Sequence, residues 1–533
     1  MVQRNVGYWL SERLRHLGRN RLFNHHNENY NGNCANYNRR SHYHNSWLVN
    51  KMNVSSLVSY LEKERVNAKF SFIFFFFIAC SRIFLEIFLI GLEKTSTAHI
   101  IHNLFYFFFT LLLGVFFISL FAKESRQPKK IFNIVLSFYP LLLLPPILDY
   151  LLFGGSSSYE YFENSAIFFS NFTTLFLSMQ KQILGFIVEG LLMCTLAASY
   201  VFIKTRSLFR AVATFLIVYA IISVTAVPSA YIPEDFRITH EGYAFTYLTL
   251  SIFVLALLYK NTNPKKFSAL VKNFRFVRVF YFALLAIFGA LLAEKINAVN
   301  FIASLLVIFF VRQFSVILND IFDRKIDETS NPERPLVKKI FNERDYFELG
   351  ILFLLLAMVY SLLINSTLSF IVVAVSVFSI LLYSVPPFHL KNKIYGTAFV
   401  GFGSAMTFLF GYVSQVQTLP INDKIFFVTL LIFIAISLGD VIKDFKDYEG
   451  ERKENVKTLF TVFGLKKGKK ISLYLLFASM SIPLFIFHQF VDFLFFPLVA
   501  ILATLDFRKN EKHERVLFYS FLVFFYCFLR MRF

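Results

Sequence analysis

The chain has 533 residues, of which 56% are hydrophobic, and it contains 72 phenylalanines. A soluble protein of this size could not bury so much apolar surface, so the composition excludes a soluble globular protein. The net charge of +20 would suggest nucleic acid in a soluble protein. Here, however, Lys and Arg collect in short loops between apolar runs, as in the cytoplasmic loops of membrane proteins. We predict an all-α polytopic membrane protein that binds no nucleic acid, because the apolar runs are continuous and not alternating.

The chain opens with a segment unlike the rest. Residues 1–51 are rich in Asn, Arg, His and Tyr, and we predict that they are disordered or that translation starts at Met52. Residues 52–260 form a predicted N-terminal membrane domain of unknown role. Its six predicted helices lie near 70–92, 99–121, 131–152, 183–203, 209–227 and 243–259. A weaker run near 166–179 is predicted to be interfacial or re-entrant, because the loop charges leave no room for another crossing.

A basic linker, residues 261–276, leads into a second predicted domain over residues 277–533. Its nine predicted helices lie near 277–293, 299–318, 346–364, 367–385, 397–414, 424–443, 471–487, 489–504 and 516–530. The loops with most Lys and Arg all fall on one side of these helices. By the positive-inside rule this side is cytoplasmic.

The first acidic cluster lies at the end of the second of these apolar runs. Asp320, Asp323 and Asp327 are spaced i, i+3 and i+7, so on an unbroken helix their carboxylates share one face. Like charges on one face repel each other unless a cation lies among them. Carboxylate oxygens are the ligands that Mg²⁺ prefers, with its remaining positions taken by water and substrate phosphates. The cluster therefore predicts a magnesium site.

A second acidic cluster follows the sixth run of this domain. Asp440, Asp444 and Asp447 are spaced i, i+4 and i+7, which again favours one helical face. Both clusters fall on the predicted cytoplasmic side. Two such clusters on otherwise apolar segments suggest a membrane-embedded site for a Mg²⁺–diphosphate complex.

Cations near the acids would complete a cradle for a diphosphate. Arg334 follows the first cluster, Lys443 lies within the second, and the segment Tyr383–Lys391 contributes a hydroxyl and an ammonium group. Arg, through its bidentate fork, and Lys neutralise phosphate charge that a metal leaves uncompensated.

The segment from about 275 to 533 resembles the UbiA superfamily of intramembrane prenyltransferases. The resemblance rests on two motifs and a third element. The first motif is matched by Asn319, Asp320, Asp323, Asp327, Arg334 and Pro335, and the second by Asp440, Asp444, Asp447, Glu449 and Gly450. The third element is the Tyr-Ser-x-Pro-Pro…Lys run from Tyr383 to Lys391. The sequence departs from the family pattern at His389, Glu451 and Phe460.

The resemblance implies a transferase that moves an isoprenyl group from an allylic diphosphate to a lipophilic acceptor, with Mg²⁺ as cofactor. The residues that it implies as metal ligands are Asn319, Asp320, Asp323, Asp327, Asp440, Asp444 and Asp447. Five of these, Asp320, Asp323, Asp327, Asp440 and Asp444, are also the predicted catalytic residues. For the diphosphate it implies Arg334, Lys391, Lys443 and Tyr383.

The two motifs look most like those of members that make archaeal-type ether lipids, whose acceptor is geranylgeranylglyceryl phosphate. Acceptors that are quinone precursors, other aromatic compounds or phosphoribose stay open. A membrane transporter is the alternative from another class, because paired intramembrane acids often mark ion paths. We predict a multi-pass protein of the cell membrane with its site facing the cytoplasm, surrounded by membrane lipid and without a protein partner.

Overall fold

The computed structural model describes residues 54–62, 68–90, 97–153, 180–225, 227–364, 366–416, 418–419 and 424–532. The predictions for residues 1–51 and for the run near 166–179 lie outside these ranges. All regular structure in the described residues is helical, which confirms the predicted fold class.

The first half of the described chain forms nine helices that include all six predicted ones. They are α1 Val54–Glu62, α2 Ala68–Ile90, α3 Thr97–Phe121, α4 Pro128–Phe138, α5 Leu144–Phe153, α6 Gln180–Thr205, α7 Leu208–Thr225, α8 Glu234–Arg237 and α9 His240–Thr262. A 3₁₀ turn at Tyr139–Leu143 joins α4 to α5, so the two together make one crossing.

The second half supplies twelve helices among the described residues. They are α10 Pro264–Lys272, α11 Phe276–Leu291, α12 Ala298–Phe322, α13 Arg324–Ser330, α14 Glu343–Leu363, α15 Thr367–Ser384, α16 Thr397–Val416, α17 Lys424–Gly439, α18 Asp444–Lys453, α19 Leu459–Ser481, α20 Phe490–Asn510 and α21 His513–Arg532. A helix is present at each of the nine predicted places.

Twelve stretches of the described chain are long and apolar enough to cross a membrane. The helices α10 and α11, bent by 56° at their junction, would add a thirteenth. The helices α19 and α21 do not pass the same test. Both carry basic side chains, among them Lys469 and Arg530. The chain is therefore a multi-pass membrane protein.

Side-chain caps fix where several of these helices begin. Asn297 accepts a hydrogen bond from the backbone N–H of Asn300 at the start of α12, and Asn342 does the same for Asp345 at the start of α14. Such a cap satisfies one of the N–H groups that the first turn of a helix leaves without a partner. The polar loops of the sequence thus set the helix starts.

Glycines let the core helices of the second half approach closely. A Cβ at Gly289 of α11 would lie 2.1 Å from the carbonyl oxygen of Phe408, and a Cβ at Gly411 of α16 would lie 2.0 Å from that of Ala286. Each helix thus offers a glycine to the other. Membrane helices, which gain little from hydrophobic burial against one another, pack through small residues of this kind.

The two halves contact each other through α9 and α14. Tyr360 of α14 hydrogen-bonds through its hydroxyl to Thr249 of α9 at 2.8 Å, and its ring lies 5.5 Å from that of Phe245. Ala244, Phe245 and Leu248 belong to the same apolar core as α12, α14 and α16. The N-terminal helices therefore support the helices of the second half from one side.

Candidate active site

Both acidic clusters lie at helix breaks. Helix α12 ends at Phe322 and α13 begins at Arg324, with Asp323 between them. In the second cluster, a 3₁₀ turn over Asp440–Lys443 separates α17 from α18. The continuous helix that the spacing predicts is therefore interrupted at each cluster, so the carboxylates of one cluster need not point the same way.

A single cavity of about 320 Å³ joins the two clusters. Ten of the eleven predicted site residues line it: Asn319, Asp323, Asp327, Arg334, Tyr383, Lys391, Asp440, Lys443, Asp444 and Asp447. Every residue of its wall lies at Arg275 or beyond, so among the described residues the first half contributes nothing to it.

Asp320 is the exception, because the structure places it outside the wall of the cavity. Its fully buried carboxylate accepts hydrogen bonds from Asn273 at 2.7 Å, Tyr346 at 3.1 Å and Arg275 at 2.6 Å. Arg334 lies 3.6 Å away. The carboxylate of Asp320 points towards Asn273, Arg275 and Tyr346, and not towards the cavity-facing acids. It holds the two arginines, both of which line the cavity, and does not face the cavity itself.

Asn331 links the two clusters directly. Its amide nitrogen donates to Asp327 at 2.9 Å and to Asp447 at 3.3 Å. The two aspartates thus share one amide group as donor, although 120 positions separate them in the sequence. The acidic clusters face each other, as a diphosphate site between them requires.

Burial changes the proton affinity of two groups at this junction. Burial raises the pKa of Asp327 to about 6, although Arg334 opposes the shift. Lys391 forms an ion pair with Asp323, and burial lowers the pKa of its amine to about 7. Both pKa shifts show that a charged side chain is unfavourable at this junction unless a further opposite charge lies nearby.

The second cluster already holds one cation. Lys443 lies 2.7 Å from Asp440 and donates to the hydroxyl of Tyr383 at 3.4 Å. The imidazole of His513 lies 3.3 Å from the same aspartate. Because Tyr383 accepts from Lys443, its own O–H proton can be donated to a substrate oxygen. Asp440 thus orients these side chains, whereas Asp444 and Asp447 lie further along the wall.

The residues of the cavity fit a magnesium ion. Asp323, Asp327, Asp444 and Asp447 offer carboxylate oxygens, the hard ligands that Mg²⁺ requires. The buried Oδ2 of Asp327 has no hydrogen-bond partner in the described part of the chain. A buried carboxylate oxygen without a partner is costly, and a metal ion would remove that cost.

The sequence prediction missed several cavity residues. Arg275, Arg278 and Arg312 line the wall, as do Asn331 and His513. A signal for Arg312 existed, because it is the one charged residue in the apolar run 299–318. An intramembrane charge is by default a candidate for function. The buried Nε of this guanidinium has no hydrogen-bond partner among the described residues, and the group lies 4.3 Å from the ring centre of Phe282.

Away from the acids the cavity is apolar. Its wall there includes Phe288 and Leu292 of α11, Val428 of α17, and Phe524 and Phe528 of α21. From Arg275 to Leu292 the wall follows α11 for about 25 Å at the helical rise of 1.5 Å per residue. A polar head chamber thus continues into an apolar channel suited to a prenyl tail.

Comparison with known proteins decides the family. The sequence profile of the UbiA prenyltransferase family matches residues 279–527. The digeranylgeranylglyceryl phosphate synthase of Methanococcus maripaludis strain C6 is 30% identical over 202 residues, which cover 37% of this chain and 70% of that protein. The chain belongs to the UbiA prenyltransferase family. Its membership confirms the predicted family and the predicted enzyme class.

Other UbiA relatives align over the same half. The Methanocaldococcus jannaschii digeranylgeranylglyceryl phosphate synthase is 32% identical over 201 residues, which cover 37% of this chain and 66%, just under two thirds, of that protein. A solved structure of a UbiA homologue from Archaeoglobus fulgidus bound to DMAPP and Mg²⁺ is 18% identical, with a TM-score of 0.40, over 49% of this chain and 96% of its own. Structural likeness at this level adds nothing to the sequence matches.

Proposed function

We propose that the chain is a Mg²⁺-dependent intramembrane prenyltransferase that transfers a geranylgeranyl group to the free hydroxyl of geranylgeranylglyceryl phosphate. The main support for this reaction is that the two acidic clusters face each other across one cavity and are linked by Asn331. Membership of the UbiA prenyltransferase family supports an isoprenyl diphosphate as donor.

The residues of the cavity wall have two roles in the reaction, metal binding and diphosphate binding. Asp323, Asp327, Asp444 and Asp447 would hold Mg²⁺, which when bound neutralises the diphosphate and eases its departure. Arg334, Lys391 and Lys443 bind the remaining phosphate oxygens, and Tyr383 donates a hydrogen bond to one of them. These contacts are worth most in the transition state, when negative charge collects on the leaving group.

The bond changes balance without a further reagent. The C1–O bond of the donor breaks, and its electron pair leaves with pyrophosphate. The hydroxyl oxygen of the acceptor forms the new bond to C1 and gives its proton to a carboxylate of the wall. The apolar channel, with Phe288 and Phe524 in its wall, excludes water that would otherwise capture the allylic cation.

The charge of the cavity supports a phosphate-bearing acceptor. Seven Lys or Arg side chains line it against six carboxylates: Arg275, Arg278, Arg312, Arg334, Lys391, Lys443 and Lys446 against Asp323, Asp327, Asp440, Asp444, Asp447 and Glu451. With Mg²⁺ bound the wall is net positive, and two of its cations, Arg278 and Arg312, belong to no ion pair among the described residues. We assign the second anion, the acceptor phosphate, to Arg278 and Arg312. The named relatives, which are digeranylgeranylglyceryl phosphate synthases, agree with this acceptor.

The proposal also covers the side of the membrane on which the site lies and the roles of the two halves of the chain. The basic loops of the second half lie on the side of the acidic clusters, which supports a site at the cytoplasmic face of the cell membrane. Residues 277–533 carry the reaction together with Arg275 at the end of the linker, because the first half supplies no wall residue among those described. Residues 52–260 act as a supporting membrane domain.

Product analysis tests the proposal. Membranes containing the full chain are incubated with labelled geranylgeranyl diphosphate, Mg²⁺ and either geranylgeranylglyceryl phosphate or an aromatic quinone precursor, and the products are identified by mass. We expect the diether phosphate, and we expect none with Asp444→Ala. Asp345→Ala is the matched control, since this carboxylate pairs with Lys266 outside the cavity. Prenylation of the aromatic compound alone would overturn the acceptor, and Mg²⁺-independent turnover would overturn the mechanism.

A further inference from the structure

Three histidines of the first half converge at one point. His99 and His102 lie one turn apart on α3, and His240 is the first residue of α9. One ring nitrogen from each lies within 4.8 Å of the other two. The chain has 11 histidines, and these three are all that it has between residues 52 and 260. Ligands from two helices thus meet although 138 positions separate His102 from His240.

The histidine cluster is far from the prenyl-transfer cavity. Helix α9 begins at His240 and ends at Thr262, a length of about 33 Å at 1.5 Å per residue. Helix α10 then leads from that end to Asn273, which hydrogen-bonds to Asp320 beside the cavity. The histidines therefore lie at the opposite end of the helices from the acidic clusters, and no cavity residue is among them.

The packing around the histidines suits a bound metal ion. His102 is buried at 2% exposure, His99 is half-buried, and His240 is exposed, so a site among them is closed on one side and open to water on the other. The ring of His102 is also stacked on Tyr243 at 5.3 Å, which holds its plane. Three imidazoles with one open position match the ligand set of zinc sites that retain a water molecule.

The ring of His99 also has a side-chain amide beside it, as expected for a metal-bound histidine. The side-chain amide of Asn103 lies 3.0 Å from its Nε2. Metal-bound histidines commonly donate their second ring N–H to an oxygen, which fixes the tautomer and the ring plane. The amide of Asn103 supplies such an oxygen when it is turned over, an exchange that leaves its shape unchanged.

Pure nitrogen ligation indicates the class of ion. Imidazole suits Zn²⁺, Cu²⁺ and Ni²⁺, whereas Mg²⁺ and Ca²⁺ prefer oxygen ligands. We propose that His99, His102 and His240 form a transition-metal site, with Zn²⁺ as its ion, that joins α3 to α9 at the membrane face opposite the prenyl-transfer cavity. The metal would restrain the two N-terminal helices against each other, and one of these, α9, packs on α14.

Zinc binding by the full chain, purified without a polyhistidine tag, tests the site. The protein is stripped with a chelator and dialysed against Zn²⁺ in excess Mg²⁺, which occupies the acidic cavity, and bound zinc is counted by mass spectrometry. Five further histidines in residues 1–51 can also bind zinc, so the readout is a difference between variants. We expect His240→Ala and His102→Ala each to lose one equivalent relative to the unmodified chain.

His488→Ala is the matched control, because His488 is exposed and lies outside the cluster. It should keep the full zinc content. Zn²⁺ should also raise the melting temperature of the unmodified chain and of His488→Ala, but not that of His240→Ala. His240 is exposed, so its loss should leave the fold intact, which size-exclusion chromatography checks. Equal zinc content in His240→Ala and the unmodified chain would overturn the proposal and leave the three rings as an aromatic stack.

Discussion

Substitution of two aspartates of the first cluster, Asp320 and Asp327, should change different properties of the protein. The sequence treats them alike, as metal ligands seven positions apart. In the structure Asp320 is held by Asn273, Arg275 and Tyr346, whereas Oδ2 of Asp327 has no hydrogen-bond partner in the described residues. We therefore expect Asp320→Asn to change stability and Asp327→Asn to change metal dependence.

The magnitudes follow from these contacts. Removing one partner of a buried ion pair costs roughly 3–5 kcal/mol of the free energy of unfolding, and Asp320 is fully buried beside a largely buried Arg275. An asparagine keeps one acceptor oxygen, so we expect about 3 kcal/mol for Asp320→Asn. Displaced arginines should also lower kcat/KM about 100-fold. Asp327→Asn keeps the bond from Asn331 and removes a buried charge, so the metal-free protein should lose at most about 1 kcal/mol.

The assay is a Mg²⁺ titration of prenyl transfer combined with denaturation in detergent without metal. Asp320→Asn should unfold more easily and turn over more slowly, with an unchanged half-saturating Mg²⁺ concentration. Asp327→Asn should unfold normally and require at least tenfold more Mg²⁺. An equal shift of the Mg²⁺ requirement in both variants would refute the assignment of Asp320 as a residue that positions arginines.

Three substitutions in or beside the cavity, together with one control, test its geometry. A Cβ at Gly450 would lie 2.9 Å from the carbonyl oxygen of Ile326, so Gly450→Ala should push α18 from α13 and lower kcat/KM at least tenfold. Gly403→Ala, where a Cβ meets nothing within 4 Å, should leave kcat/KM unchanged, and equal effects would contradict this reasoning. Asp444→Ala should abolish Mg²⁺-dependent turnover in a folded protein. Near-normal activity of this variant would show that Asp444 is not a metal ligand. Arg312→Met should raise KM for the phosphate acceptor more than for the diphosphate donor; an equal rise in both would remove the acceptor assignment.

Much of this architecture could be predicted from local sequence. Apolar runs of about twenty residues predict each membrane helix because a bilayer core sets their length. The aspartates at the ends of two such runs, with Arg334 and Lys391 nearby, predict a cation–diphosphate site, and the structure brings these residues to one wall. Helical spacing did not separate Asp320 from the residues of the cavity wall, because spacing does not show which neighbouring segment a side chain meets, and Asp320 meets Asn273, Arg275 and Tyr346.

Contacts between side chains that lie far apart in the sequence were decided by tertiary packing. The chain alone determined a helical membrane protein of the UbiA type and predicted the residues of its site, since hydropathy and motif spacing are local properties. Only the folded chain placed Asn331 between Asp327 and Asp447, or brought His102 against His240. Such contacts depend on how whole helices pack, and that packing is fixed by close-fitting glycines and buried polar pairs that no periodicity encodes.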